Sequence, residues 1–212
     1  MLKNPLYLIK GVFGRTFYIF PQRPERIQIE ITNRCNYTCG MCPRESFNLP
    51  EKDIPLDLFK KIIDRLAPFS EKGLETPYNV TLTGWGEPLI HPALMDMIVY
   101  TKDKGHNVGV TTNGLLLAPF IEKFIEKSLE KLTISLDSVE EGVEVKEGHP
   151  SNKVVQKNIE SLIRSRGDKK KPMITIQITM HGKKQCLETI KYAGEVGADR
   201  VYLVRLNIPF GM

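Results

Sequence analysis

Residues 26–42 read Arg26-Ile27-Gln28-Ile29-Glu30-Ile31-Thr32-Asn33-Arg34-Cys35-Asn36-Tyr37-Thr38-Cys39-Gly40-Met41-Cys42. The first half alternates Ile27, Ile29 and Ile31 with Gln28, Glu30 and Thr32, the period-2 pattern of a strand with one apolar face. The second half gathers three thiols in eight residues directly after that strand. Thiolate is the ligand that selects zinc and iron–sulfur clusters. A closed site wants four protein ligands, so three leave one metal position for something else to bind. The next cysteine is Cys186, far along the chain.

Cys-x3-Cys-x2-Cys, with apolar Met41 before the last cysteine, resembles the radical S-adenosylmethionine (SAM) signature and differs from the bacterial ferredoxin spacing. The resemblance implies that Cys35, Cys39 and Cys42 hold a [4Fe-4S] cluster whose fourth iron SAM chelates. It also implies reductive cleavage of SAM to a 5′-deoxyadenosyl radical that abstracts hydrogen from a substrate. The residues themselves show an incomplete thiolate site. A zinc loop completed by a distant His or by Cys186 stays open at this point.

Outward from this stretch, strand-like runs recur at 26–32, 79–83, 107–112, 131–137, 173–180 and 200–206. Helical patterns fall between them. The clearest is Leu56, Phe59, Ile62, Ile63 and Leu66, with Pro55 at its first turn. Others run from about Pro92 to Lys104, Pro119 to Leu129, Val154 to Ser165 and Gln185 to Val196. Alternating strand and helix implies parallel βα units with right-handed crossovers. Six such units predict an α/β fold, a (β/α)6 partial, three-quarter TIM-like barrel. Leu132, Ile134 and Leu136 alternate with Thr133, Ser135 and Asp137, and Ile174, Ile176 and Ile178 with Thr175, Gln177 and Thr179. With the apolar face toward the helices, the lumen is expected to be polar and wet.

Active sites of parallel βα folds form at the C-terminal strand ends. The polar motifs fall there: Thr83-Gly84-Trp85-Gly86-Glu87-Pro88, Thr111-Thr112-Asn113-Gly114, Ser135-Leu136-Asp137-Ser138 and Met180-His181-Gly182. Gly84 and Gly86 allow a tight turn and a close backbone approach, with Glu87 an anionic acceptor beside them. The stretch resembles the family's Gly-Gly-Glu-Pro element, with Trp85 making it Gly-x-Gly-Glu-Pro, and implies a seat for the SAM ammonium. Thr111, Asn113 and Ser135 resemble the residues that meet the ribose and carboxylate of SAM, and Met41 those near adenine. Turn or capping roles for the same residues are equally consistent with their types. His181 is a candidate lumen residue, and His91 reads as a helix-start residue. Cys186 reads as a small core residue, and Arg44 and Arg205 as carboxylate partners or surface charges.

The bulk properties narrow the class. The 212 residues suffice for one domain. Net charge is +5, and Lys169-Lys170-Lys171 has no interleaved aromatics, which speaks against a nucleic-acid surface. Clustered cysteines without a disulfide framework point to a reducing cytoplasm. Neither a secretory signal nor a membrane-length apolar run is evident. Residues 1–25 form an apolar, basic segment before a core at 26–212. For Leu2 to Phe20 an N-terminal helix and turn packed over the domain is favoured over peripheral membrane contact, because Gly11 and Gly14 weaken an amphipathic helix. The chain stops before a sixth helix, where similar cores continue into a Cys-rich SPASM or twitch domain. The expectation is a fragment or shortened maturase acting on a peptide, protein or cofactor precursor, served by a flavodoxin- or ferredoxin-like donor. The alternative is a non-catalytic iron–sulfur electron-transfer or zinc-binding module.

Overall fold

The computed structural model describes residues 7–10, 16–19, 26–66, 78–140 and 152–205. Strands β3 (Arg26–Ile29), β4 (Asn79–Leu82), β5 (Asn107–Thr112), β6 (Lys131–Ser135), β7 (Met173–Met180) and β8 (Arg200–Arg205) form one sheet in sequence order. Every neighbouring pair is parallel. Helices α1 (Leu56–Leu66), α2 (Leu94–Asp103), α3 (Ile121–Glu126), α4 (Asn152–Arg166) and α5 (Lys183–Val196) fill the crossovers. This is the expected α/β partial barrel of six parallel strands. Its edge strands β3 and β8 are not paired to each other, so the barrel stays open.

The apolar strand set does face the helices. Val80, Leu82, Val108, Val110, Leu132, Ile134, Ile174, Ile176 and Ile178 are all buried, in one cluster with Phe59, Ile63, Met97, Phe124 and Leu162 from α1 to α4. Phe59 and Ile63 are the inward residues of the periodic pattern that predicts α1. Cys186 joins the same core from α5, as its residue type suggests. The opposite face is polar but less open than expected. Thr133 and Thr175 are buried in the middle of the sheet, because the curl of the strands shields the floor of the lumen.

Two expectations change. The segment at 2–20 contains an antiparallel hairpin, β1 (Tyr7–Lys10) and β2 (Thr16–Ile19), rather than a helix. Phe17, Tyr18 and Ile19 favour extended backbone, and Gly11 and Gly14, between the two strands in sequence, lie outside the described residues. The first core strand ends at Ile29, and Thr32 instead makes an isolated antiparallel bridge to Asp53. No described helix is long and apolar enough to cross a membrane. The tail after Arg205 lies outside the described residues.

The N-terminal ends of the strands are pegged by ionic and hydrogen bonds. Glu130, just before β6, accepts from Lys102 Nζ at 2.6 Å, Val108 N–H at 3.0 Å and Lys171 Nζ at 3.1 Å. Asp199, just before β8, accepts from Ile174 N–H at 2.6 Å and from Arg166. Burial works against the charge of Glu130, but its three donors outweigh it and hold the carboxyl below the ordinary range. An unfolded glutamate titrates near about 4.3. The stabilisation is therefore complete above that value and is lost as pH falls through the lower folded one. Glu130→Gln is expected to cost about 1–2 kcal/mol at pH 7 in urea denaturation. The gap from wild type should shrink as both proteins are taken below pH 4.

Candidate functional site

The site is assembled from three strand ends that bond to one another. After β3, Thr32 Oγ1 donates to Asp53 Oδ1 at 2.6 Å, and the Arg34 guanidinium makes a two-pronged pair with the same carboxylate at 3.0 and 2.6 Å. Asn33 bonds the 50–52 segment with its side-chain Nδ2 and Oδ1. These contacts tie both ends of the cysteine loop, so it leaves and rejoins the sheet at fixed points. Asp53 and Arg34 had no motif to announce them. Their partnership spans 19 residues and exists only once the loop closes.

Cys35, Cys39 and Cys42 are half-buried on this loop, and Cys42 N–H donates to Cys39 O at 2.8 Å in a tight turn. Burial pushes the Cys35 thiol up, and the Tyr37 amide draws it back. Among the described residues no three His, Cys, Asp or Glu side chains converge on a single ion's position. The three thiols fit an iron–sulfur group by donor type and by their place on one closed loop. Arg44 Nη2 donates to Tyr37 O at 3.2 Å, and Nη1 lies 3.7 Å from Glu51 Oε1, so it braces the loop from behind. Met41 is half-buried beside the last cysteine.

The Gly84-Trp85-Gly86-Glu87 turn after β4 docks against this loop. Glu87 N–H donates to Arg34 O at 2.8 Å, and Trp85 N–H to Glu30 Oε1 at 2.5 Å. A Cβ at Gly86 would collide with Thr32 O and lie 2.7 Å from Arg34 O. That glycine is required by backbone packing, whatever it does for a ligand. Trp85 is half exposed above the turn. A pocket of about 200 Å³ opens here, with Glu30, Asn33, Arg44, Leu49 and Trp85 among its walls.

Glu87 is 2 % exposed. Its Oε1 accepts from Leu89 N–H at 3.0 Å and Thr112 Oγ1 at 2.7 Å, and Oε2 from Asn113 N–H at 2.7 Å. Burial pushes this carboxyl above the usual range against the pull of those bonds. All three donors are neutral, so this enclosed carboxylate is one that a ligand ammonium would suit. Asn113 then carries the connection onward: its Nδ2 donates to Asn36 Oδ1 at 2.8 Å, inside the cysteine loop. The Cys loop, the Gly-x-Gly-Glu turn and the end of β5 are thus one hydrogen-bonded unit.

The remaining predicted residues lie nearby without being drawn into it. Thr111 and Ser135 are half-buried on the lumen face of β5 and β6. Asp137 is buried, its Oδ1 accepts from Thr179 N–H at 2.7 Å, and His181 Nε2 stands 3.9 Å from its other oxygen. His91 is structural, as read from its place before α2. Ala93 N–H donates to Nδ1, so Nε2 carries the proton toward Ile54 O at 3.1 Å. Arg205 is exposed on the edge strand β8.

Comparison with known proteins places this geometry. The Radical SAM superfamily matches residues 29–209. A tungsten-containing aldehyde ferredoxin oxidoreductase cofactor-modifying protein of Pyrococcus furiosus is 31% identical over 186 residues, covering 85% of this chain and 51% of that protein. A probable GTP 3′,8-cyclase of Sulfolobus acidocaldarius is 29% identical over 206 residues, covering 96% of this chain and 60% of that protein. The chain therefore spans about half to three-fifths of the length of these relatives. The fold is shared with Streptococcus suis SuiB bound to S-adenosylmethionine, with TM-score 0.73 and 15% identity over 89% of this chain and 42% of that one. From Ile29 at the end of β3 to beyond β8, this chain belongs to the Radical SAM superfamily, a family of enzymes that pair S-adenosylmethionine with an iron–sulfur cluster.

Proposed function

We propose that this chain binds a [4Fe-4S] cluster through Cys35, Cys39 and Cys42, cleaves SAM reductively, and serves the maturation of a cofactor or a protein. The observation that carries this reading is the bonding of the cysteine loop to the turn bearing Glu87, through Glu87 N–H to Arg34 O and Asn113 Nδ2 to Asn36 Oδ1. When bound, the cluster supplies one electron and SAM the 5′-deoxyadenosyl radical that takes a hydrogen atom from the substrate.

The protein's share is ligation, orientation and exclusion of water. The three thiolates hold the metal group on a loop anchored by the Arg34–Asp53 pair. Glu87 and the carbonyls of the Gly84–Gly86 turn receive the SAM ammonium. Thr111, Asn113 and Ser135 line the neighbouring strand ends for its ribose and carboxylate, and Met41 lies toward its adenine. A flavodoxin- or ferredoxin-like protein is the proposed electron donor. The maturation reading takes its support from the cofactor-modifying relative.

Two measurements test the proposal. After anaerobic reconstitution with iron and sulfide, dithionite and SAM should yield 5′-deoxyadenosine with the wild-type chain and none with Cys39→Ala. Purification with zinc and no reconstitutable cluster would overturn it in favour of a zinc module, and a cluster that yields no nucleoside in favour of electron transfer. Glu87→Gln sets an amide NH2 against one of three buried donors, at a cost of about 1–3 kcal/mol in thermal unfolding. Its iron content should match wild type while SAM affinity, read by equilibrium dialysis, falls roughly tenfold or more.

A further inference from the structure

The lumen face of the sheet is electrically divided. Residues of one parity along each strand point away from the helix-covered core, because their neighbours Ile29, Leu132, Ile174 and Ile176 fill that core. Parallel register carries this parity across the sheet: Lys131 pairs with Gly109 and Met173, and Thr175 with Thr133 and Arg200. Arg26 on β3, Lys131 on β6 and Arg200 on β8 all share the lumen face, and all stand at the first residue of their strands. The carboxylates of the same face, Glu30 and Asp137, lie beyond the other ends of β3 and β6.

In a flat sheet β3 and β6 would be roughly 14 Å apart, and β6 and β8 roughly 10 Å. Burial holds the Lys131 ammonium below the ordinary lysine range, and the positive charges of Arg26 and Arg200 both reach it and add to that effect. Among the described residues none of the three has a carboxylate within 4.0 Å. The neighbouring position is kept clear for the lysine: a Cβ at Gly109 would stand 3.4 Å from Lys131 Cβ and 3.2 Å from its carbonyl oxygen. Like charges gathered against a polar floor of threonines stabilise nothing in the fold. They are suited to a bound oxyanion.

We propose that Arg26, Lys131 and Arg200 form an anion subsite at the lower end of the lumen, which anchors a phosphate or carboxylate group of a small-molecule substrate. The thiol loop lies beyond the opposite end of β3. A molecule held at this subsite by an anionic end would therefore direct its other end up the lumen toward the SAM-binding unit. Edge strands β3 and β8 are not paired to each other. This deepens the proposed function by naming a substrate class, but its test needs neither cluster nor SAM.

The test is titration of the full chain with pyrophosphate and, separately, citrate, followed by amide NMR shifts and by calorimetry. Saturable shifts at Gly109, Thr133 and Thr175 are expected. Affinity should fall roughly tenfold or more in Lys131→Met and Arg200→Gln, and remain in Lys123→Met on the exposed side of α3. Circular dichroism melting of each variant confirms folding, and Lys131→Arg should retain binding. A response to pyrophosphate alone would identify a phosphoryl group, and a response to citrate a carboxylate. Shifts confined to Lys169–Lys171, or an affinity unchanged by Lys131→Met and Arg200→Gln, would overturn the subsite. Because SAM is absent throughout, loss of SAM cleavage and loss of anion binding are read separately.

Discussion

A single buried carboxylate connects the parts of this site. Glu87 sits between three strand ends and accepts from Leu89, Thr112 and Asn113. A buried acceptor with all its donors in place is worth far more than its net contribution in water, because each donor would otherwise be stranded. Its backbone N–H meanwhile fixes the loop that carries the thiols. Geometry at the cysteine loop thus depends on a residue outside that loop. Moving Glu87 would shift the Gly-x-Gly turn, the end of β5 and, through Asn113 and Asn36, the cysteine loop together.

Periodicity made most of the fold legible. Leu56, Phe59, Ile62, Ile63 and Leu66 name a helix whose inward face is Phe59 and Ile63, and the isoleucines of β7 name a strand buried on one side. Local chemistry made the position of the candidate site legible, since polar motifs recur at one end of successive strands. Partnerships that exist only after folding were not legible. The Arg34–Asp53 pair, the Glu30 carboxylate beneath Trp85 and the Asn113–Asn36 bond join residues 19, 55 and 77 positions apart. A charged or amide side chain looks the same in sequence whether it is solvated or closes a loop. The hairpin at 7–19 was missed for a related reason: apolar composition with interrupting glycines disfavours a helix without naming the register of two strands.

Polar residues on the lumen face reduce the apolar surface that a filled barrel would have buried between its strands. The remaining core lies between sheet and helices, and the fold adds ionic pegs at the strand starts, Glu130 under Lys102 and Lys171, and Asp199 under Arg166. These pegs restrain the ends opposite the cysteine loop. The helix side of the strand starts therefore serves stability, while the opposite ends carry the residues proposed to meet SAM.

That division gives the lumen cations their meaning. Glu130 and Lys131 are sequence neighbours on opposite faces of one strand. The first is satisfied by two lysines and an amide, and the second faces two arginines. If strand starts served stability alone, the acceptors would be shared between faces and Lys131 would have a carboxylate of its own. Instead, among the described residues, Glu130 and Asp199 are spent on partners other than these three cations. Excess positive potential on the lumen side is then a property of how the pegs are arranged. Such a potential faces the lumen, below the unit proposed to bind SAM.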